Sequence, residues 1–235
     1  SKKPDTIYAL STPPGKSAIA VIRISGNTAF RLVNKMSSSM SKIPNKAVYN
    51  LLRTTKGEVI DQTITTYYKS PKSFTGEDMV EISMHGGNAV INKFINSFKK
   101  NKNVRLAEPG EFTRRSFENN KLDLTQVEAI ADLVNAETEI QRKYAYNHLK
   151  GGFSLKTKHI YNELKKVLAN IEAIIDFTDE DLPENLINKI EEQTKNINNE
   201  ISQILNNYNS GSKIRTGYIV AIIGKSNTGK SSFFN

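Results

Sequence analysis

Apolar and polar positions follow two different periods along the chain, and the change comes near residue 120. Before it, short apolar runs alternate with turn-forming Gly, Pro and Ser residues, a pattern typical of strands and a few helices joined by loops. After it, apolar residues recur every three or four positions over long stretches, which predicts amphipathic helices. The chain is therefore predicted to fold as an α+β unit followed by an all-α helical bundle.

The α+β unit is predicted to contain strands at residues 7–10, 18–24, 47–53, 63–68 and 79–84. Ser25-Gly26-Asn27 is predicted to cap a helix that ends near Met36. His85-Gly86-Gly87 is predicted to form a tight turn into a second helix that ends near Lys99. One short helix is expected in the polar stretch after Arg105.

The second part is predicted to contain three long amphipathic helices. Thr125 is predicted to be the N-cap of the first helix, with Glu128 completing a capping box, and Gly151-Gly152 breaks the chain before the second. The acidic stretch 176–183 lacks the spacing of an EF-hand, so a solvated helix end is the favoured interpretation. The Asn-Ser-Gly-Ser segment at 209–212 is predicted to be a hinge-like linker after the third helix.

The last residues of the sequence carry the most specific chemical motif, G-x-x-x-x-G-K-[ST], which binds phosphate in nucleotide triphosphatases. The apolar run 218–223 before it predicts a buried parallel strand, and a helix is predicted to open at Lys230. Glycines let the backbone curl around an anion, Lys230 would reach the β- and γ-phosphates, and the Ser231 hydroxyl would ligate Mg²⁺. The alternative is an ordinary glycine-containing turn after a strand. The candidate nucleotide-binding residues are Gly224, Asn227, Thr228, Gly229, Lys230, Ser231 and Ser232.

Composition narrows the class of protein. The 235 residues include no cysteine, which excludes a disulfide scaffold, a thiolate zinc site and cysteine catalysis. The sequence shows neither a signal-peptide pattern nor a membrane-spanning run, so a cytoplasmic protein is expected. The formal charge of +9 fits equally well a nucleic-acid partner and the lysine- and asparagine-rich composition of an AT-rich genome, and the lysines are scattered along the chain.

Three charged residues of the first part are candidates for binding a polar ligand. Arg23 and Glu81 lie inside predicted strands, where a charge is costly unless it is paired or exposed, and Lys121 follows later in the chain. An edge position or a salt bridge is the more common explanation for a charged strand residue, so by themselves the three make a weak case for a site. His85 is interpreted as a turn residue, because the sequence identifies no partner for it.

Short motifs spread over the whole chain resemble one family, the MnmE family (also called TrmE), whose members are GTPases that modify the wobble uridine of certain tRNAs. In chain order the matching motifs are D-T-I at 5–7, T-P-P-G at 12–15, R-I-S-G at 23–26, S-F-T-G-E-D at 73–78, H-G-G at 85–87, P-G-E-F-T at 109–113, K-L-D-L at 121–124, E-A-I-A-D-L at 128–133 and D-F at 176–177, followed by the phosphate loop. Because they keep their order along essentially the whole chain, the match is more specific than the loop alone.

The resemblance implies three parts: a tetrahydrofolate-binding and dimerisation domain at 1–119, a helical domain at 120–215, and the first strand and P-loop of an α/β Ras-like G domain at 216–235. Residues Arg23, Glu81 and Lys121 match the family's folate-contacting positions, where the cofactor is 5-formyl- or 5,10-methylene-tetrahydrofolate. The two cations would donate to the cofactor's acceptors and carboxylates, and the carboxylate would accept from the amino-pyrimidine edge of the pterin.

The resemblance also implies a set of ions and partners. Asn227 matches the family's K⁺-coordinating asparagine, and Ser231 keeps its role as the Mg²⁺ ligand in a site for GTP. Ser226 stands where the family usually has proline, a change expected to loosen the loop without removing a contact. The family's partners are a second copy of the chain, bound through the N-terminal domain, tRNA, and the flavin-dependent protein MnmG, with which it adds a carboxymethylaminomethyl-type group at uridine C5.

No switch threonine, D-x-x-G or N-K-x-D segment follows the phosphate loop in the sequence, so guanine specificity rests on the resemblance. No catalytic residue is assigned, and the chain as given is not expected to hydrolyse GTP at a useful rate. Two alternatives stay open: a stand-alone folate-binding or transfer module with a residual phosphate loop, and a non-enzymatic dimeric scaffold.

Overall fold

The computed structural model of the chain describes residues 5–176, 185–216, 220–225 and 228–234. By its internal contacts the chain divides into two compact units, Ser1–Val127 and Glu128–Asn235. The first unit contains the sheet and the second is helical, which confirms the predicted order of an α+β part followed by an all-α part.

A mixed six-stranded sheet organises the described part of the first unit. Its strands are β1 (Thr6–Leu10), β2 (Ser17–Ser25), β3 (Ala47–Arg53), β4 (Val59–Tyr68), β5 (Met79–Gly86) and β6 (Val104–Leu106). Their order is β3-β4-β5-β2-β1-β6; neighbours run antiparallel except β1 and β6, which are parallel. The five predicted strands are confirmed. Strand β6 was not predicted, because three residues are too few to show a period.

One face of this sheet is covered by helices and the other carries the charged pair. Helices α1 (Ala29–Met36) and α2 (Asn88–Phe98) contribute Val33 and Phe94 to the same buried cluster as Ile22 and Ile82 of β2 and β5. Because strand side chains alternate between faces, β2 buries Ala20, Ile22 and Ile24 and directs Ile19, Val21 and Arg23 to the opposite side. This opposite side is called the open face below, and the register of β2 with β5 and β4 places Glu81 and Ile64 on it as well.

Two local predictions in the first unit are wrong. The N-cap of α1 is Thr28, not the Ser25-Gly26-Asn27 segment, because the Ser25 hydroxyl is already bonded to Thr75 and Glu77. His85 and Gly86 extend β5 instead of forming a turn. Gly86 pairs with Ser17 so closely that an added Cβ would lie 2.5 Å from the Ser17 carbonyl oxygen, so this glycine permits strand pairing.

The remaining secondary structure of the described chain is helical. A third helix of the first unit is α3 (Glu111–Glu118), as predicted, and the later ones are α4 (Leu124–Val134), α5 (Glu139–Leu149), α6 (Gly152–Asp176), α7 (Leu186–Thr216) and α8 (Lys230–Phe234). The break at Gly151-Gly152 is confirmed. The single first helix predicted for the second part is instead two, since α5 starts anew with a capping box of Thr138 and Gln141.

Three predictions further along the chain are also wrong. Helix α4 is capped two residues earlier than expected: Asp123 accepts from the Gln126 backbone N–H at 2.9 Å, and the Gln126 side chain accepts from the Asp123 N–H at 3.0 Å. Helix α7 continues through the predicted linker at 209–212. The predicted strand at 218–223 is not formed where the structure describes it, at 220–225.

The missing strand has a simple physical reason. Backbone N–H and C=O groups of a strand need a neighbouring strand, and no described residue pairs with 220–225. Val220 and Ile223 are accordingly 83% and 93% exposed. Tyr218 and Ile219 lie outside the described residues, as do Asp179, Glu180 and Asp181 of the acidic stretch. None of the described helices has the length and apolarity needed to cross a bilayer.

Candidate functional site

The open face carries an ion pair between the two charged strand residues predicted from sequence. Arg23 and Glu81 stand directly opposite each other on β2 and β5. The Arg23 Nε donates to Glu81 Oε1 at 2.9 Å, and its Nη2 lies 2.8 Å from the same oxygen. Their side chains are 26% and 23% exposed, so the pair is neither buried nor fully solvated. Half-burial leaves it accessible to a ligand while strengthening each hydrogen bond it makes.

Aromatic side chains surround this pair. The Arg23 guanidinium lies 5.0 Å from the ring centre of Phe74 and 5.7 Å from that of Phe112, within cation–π range. Tyr68 donates its hydroxyl to Glu81 Oε2 at 3.2 Å. Burial, followed by the negative charge of Glu81, raises the pKa of Tyr68, so this phenol remains a donor at neutral pH.

The side chain of Lys121 contacts the loop that carries Phe74 and does not contact the ion pair. Its ammonium donates to the Pro71 carbonyl oxygen at 3.0 Å. Its stem lies against Gly76, where an added Cβ would come within 3.2 Å of the Lys121 Cγ. Both contacts are in the loop 69–78, between β4 and β5. Within the described residues no hydrogen bond or ion pair joins Lys121 directly to Arg23 or Glu81.

A buried hydrogen-bond network holds the loop 69–78 to the sheet. The Ser25 hydroxyl donates to Glu77 Oε2 and is bonded to the Thr75 hydroxyl, both at 2.7 Å. The Arg115 Nη1 donates to both oxygens of Glu77, at 3.2 and 3.0 Å, and to the Asp5 carbonyl at 2.8 Å. These bonds fix the loop that presents Phe74 to Arg23.

The network continues through Glu111, whose side chain is only 2% exposed. Arg105 binds it in a bidentate manner at 2.8 and 2.6 Å, Arg115 donates to it at 3.1 Å and the Glu108 N–H donates at 2.8 Å. Chiefly through the hydrogen bonds from Arg105, and against the opposing effect of burial, these donors lower the pKa of Glu111 to about 2. The same bonds raise the pKa of Arg105.

Sequence reasoning missed this network. Its members are separated by up to about a hundred residues, from Asp5 to Arg115, and no period links them. The available signal was the spacing of Glu111 and Arg115, four residues apart on one predicted helix, which places an acid and a base on one face.

A second pair on the open face involves His85. Its ring Nδ1 lies 2.8 Å from Asp61 Oδ1, and its backbone N–H donates to Asp61 Oδ2 at 2.8 Å. Burial would raise the pKa of Asp61, but the hydrogen bonds from His85 lower it overall. The His85 ring borders a shallow depression of about 200 Å³ that is lined mainly by apolar side chains, among them Ile19, Tyr49 and Ile64. The partner that the sequence did not identify is therefore Asp61.

The phosphate loop is described only in part. Lys230, the first residue of α8, donates its ammonium to the carbonyl oxygen of Gly224 at 2.9 Å and to that of Lys225, so it bridges the start of the loop. Thr228 donates to the Lys225 carbonyl at 2.8 Å. The Ser231 and Ser232 residues lie in the first turn of α8, and Asn227 lies outside the described residues. In the described part of the chain, no group of three His, Asp or Glu side chains is arranged to hold a metal ion.

Comparison with family models matches both units. Residues 6–121 match the model described as "GTP-binding protein TrmE N-terminus", and residues 124–219 match the model described as "MnmE helical domain". The charged pair, Lys121 and every member of the buried network except Asp5 fall within the first match.

Individual proteins are similar over almost the same length. The chain is 42% identical over 233 residues to the tRNA modification GTPase MnmE of Pelagibacter ubique, 43% over 232 residues to that of Rickettsia prowazekii and 41% over 232 residues to that of Aquifex aeolicus. In each comparison 98% of this chain is aligned with 52% of the relative. The chain thus spans about half the length of the curated relatives it matches.

Proposed function

This chain belongs to the MnmE (TrmE) family of tRNA modification GTPases, and from that premise we propose that it forms the folate-binding, dimerising and helical part of such an enzyme. The proposed bounds are 1–119 for the folate-binding domain, 120–215 for the helical domain and 216–235 for the start of a G domain. The observation that carries the proposal is the half-exposed Arg23–Glu81 pair among aromatic rings.

The residues around this pair fit a reduced folate. A carboxylate has about four lone-pair sites, and Glu81 uses them for Arg23 and Tyr68, which leaves acceptor capacity for the amino-pyrimidine edge of a pterin. Arg23 retains guanidinium N–H groups for carbonyl or carboxylate acceptors, and the Phe74 and Phe112 rings supply flat apolar surface next to a flat heterocycle. A bound tetrahydrofolate would bring the one-carbon unit; the chain's own residues bind and orient it.

Lys121 has a separate part in this proposal. Its ammonium holds the Pro71 carbonyl, and its stem lies on Gly76 of the same loop that carries Phe74. An anionic group that approached the loop would find an exposed cation there, and it would be a stronger partner for Lys121 than the backbone carbonyl is. We assign Lys121 to the glutamate carboxylates of 5-formyl- or 5,10-methylene-tetrahydrofolate on this ground.

The phosphate loop gives the nucleotide half of the proposal. In a complete site Lys230 would exchange the Gly224 and Lys225 carbonyls for the β- and γ-phosphates of GTP. Gly224, Thr228, Gly229 and Ser232 would contribute to the cradle, Ser231 would ligate Mg²⁺, and Asn227 would ligate K⁺. The chain by itself is proposed not to hydrolyse GTP at a useful rate.

The remaining proposals concern the whole protein and its setting. Two copies would associate through the N-terminal domain, and a flavin-dependent partner of the MnmG type would act with them in the cytoplasm. The reaction would place a carboxymethylaminomethyl-type group at C5 of the wobble uridine of certain tRNAs.

Isothermal titration of the chain with 5-formyltetrahydrofolate tests the folate site. Glu81→Gln keeps the shape of the side chain and removes its charge, so we expect affinity to fall about tenfold to a hundredfold, the value of a charge-assisted hydrogen bond. Glu58→Gln is the matched control, because Glu58 is exposed and pairs only with Lys93 in the described part of the chain. Absence of binding by the unmodified chain would favour the scaffold alternative, and unchanged affinity of Glu81→Gln would move the site elsewhere.

A further inference from the structure

Positive charge is concentrated in one segment of the second unit. Residues 140–170 contain seven lysines and arginines and one acidic residue, a net charge of +6 out of +9 for the chain. Although lysines occur along the whole chain, most of the net positive charge therefore lies in this segment. The segment comprises most of α5 and the first part of α6. A like-charged segment of a folded unit costs self-repulsion, so such a segment points to an anionic partner.

Within this segment one triplet of side chains occurs twice. Lys143, Tyr146 and Lys150 on α5 have the same Lys-x-x-Tyr-x-x-x-Lys spacing as a second triplet on α6. The members of the second triplet are Lys158, Tyr161 and Lys165. Since residues three, four and seven apart share one face of a helix, each triplet forms a stripe with a tyrosine between two lysines. Together they are called the Lys-Tyr stripes.

The Lys-Tyr stripes face away from the core of their unit. Ala145 and Val167 are the buried residues of α5 and α6, and at about 100° per residue they lie about 100–160° and about 120–180° around the helix from the members of their stripes. Tyr146 and Tyr161 are 43% and 61% exposed, although large aromatic side chains are usually buried. Both rings are therefore accessible to a partner.

The lysines of the stripes are largely available. In the part of the chain that the structure describes, Lys150, Lys158 and Lys165 have no carboxylate within 4.0 Å, and Lys143 is 3.8 Å from Glu139. The second lysine of each stripe instead lies over its tyrosine, with Nζ 4.7 Å from the Tyr146 ring centre and 5.9 Å from that of Tyr161. A cation held over an aromatic face presents charge and a stacking surface together.

We infer that the Lys-Tyr stripes bind the sugar–phosphate backbone and an unstacked base of RNA; the inference rests on the proposed tRNA substrate and locates its contact on the helical part. Lysines neutralise phosphates, and tyrosines stack on bases that tRNA exposes in its loops. A membrane surface is a poorer fit, because an interfacial helix needs large apolar side chains on the face that it inserts. The stripes alternate lysine with tyrosine instead. An acidic protein would need no aromatic ring between the cations.

The test measures binding of fluorescein-labelled tRNA to the chain by anisotropy over a range of salt concentrations. The first variant combines Lys158→Gln with Lys165→Gln, and the second combines Lys143→Gln with Lys150→Gln. The control combines Lys99→Gln with Lys100→Gln, which removes the same charge from two exposed lysines just after α2. Two single variants, Tyr161→Phe and Tyr161→Ala, are compared with each other. Tyr161→Phe removes only the hydroxyl, whereas Tyr161→Ala also removes the ring that would stack on a base.

Each stripe variant should weaken binding about tenfold and lower the slope of log K against log salt by about 1.5, the value for two lost phosphate contacts. The control should leave both quantities nearly unchanged. Tyr161→Ala should weaken binding about tenfold, and Tyr161→Phe should not. Circular dichroism of each variant checks that the helices are intact.

Three results would overturn the inference. If the control variant weakened tRNA binding equally, binding would depend on the overall positive charge and not on the position of the stripes. Unchanged binding by both stripe variants would place the RNA elsewhere. Binding of the chain to vesicles with anionic lipid or to an acidic protein, without binding to tRNA, would assign the surface to another partner. None of these results affects the folate titration, so failure here and failure of the folate site can be told apart.

Discussion

Removal of the Glu111 charge tests the buried network that supports the candidate site. With a pKa of about 2 in the folded chain against an ordinary value of 4.5, this carboxylate gains about 3 kcal/mol on folding, at about 1.4 kcal/mol for each pKa unit. Because the folded pKa is the lower one, the gain is fully present above about pH 4.5 and is lost as the pH falls towards about 2. Below that range Glu111 is protonated in both the folded and the unfolded chain, so it no longer contributes to stability.

Glu111→Gln keeps the size of the side chain and leaves Arg105 and Arg115 with their other partners, Asp5 and Glu77. We expect the variant to lose about 3 kcal/mol of unfolding free energy near pH 7, within the range for breaking a buried ion pair. The free energy of unfolding of the unmodified chain should fall by about 2 kcal/mol between about pH 5 and pH 3 because Glu111 takes up a proton, and we expect this fall to be absent from the variant.

Urea unfolding across this pH range measures the difference, and hydrogen exchange of the sheet amides assigns it to the first unit. Glu118→Gln on the same helix is the control, since Glu118 is 61% exposed and should change stability by less than about 0.5 kcal/mol. If Glu111→Gln and the unmodified chain decline in parallel below pH 5, the proton linkage assigned to Glu111 is refuted.

Two further predictions concern the loop 69–78 and the end of strand β4. Gly76 has φ +78°, and an added Cβ would lie 2.9 Å from the Asn119 Cβ. Gly76→Ala should therefore lower the free energy of unfolding in urea by about 1–3 kcal/mol, and it should weaken folate binding in the calorimetric titration. A loss of less than about 0.5 kcal/mol would contradict this prediction. Burial, followed by the Asp78 carboxylate, raises the pKa of Tyr67 to about 12. Ultraviolet titration of the folded chain should therefore show one phenol that ionises near that pH, and this transition should be absent from Tyr67→Phe. A titration curve that the substitution leaves unaltered would contradict the assignment.

Local pattern was enough for most of the architecture. Alternation in β2 and the helical period after residue 120 follow from which side chains leave water, and this depends on neighbours one to four residues away. Chain breaks such as Gly151-Gly152 are local in the same sense. The motif at 224–231 and the family motifs could likewise be found without any three-dimensional information.

Partner choice was decided only by the tertiary structure. Strand β6 forms because β1 offers it an edge, and residues 220–225 form no described strand because no described edge is offered to them. The same rule separates the candidate residues, since Arg23 meets Glu81 across a strand pair while Lys121 reaches only the adjoining loop. Asp61 is bound to His85 by a register that no period encodes.

The sequence by itself therefore determined most of the strands and helices and the chemistry that they carry. The tertiary structure decided which backbone groups, carboxylates and cations satisfy one another. The physical reason is that burial preferences act over a few neighbouring residues, whereas hydrogen bonds and ion pairs in a sheet protein join residues far apart in the chain, and their geometry exists only once the sheet has formed.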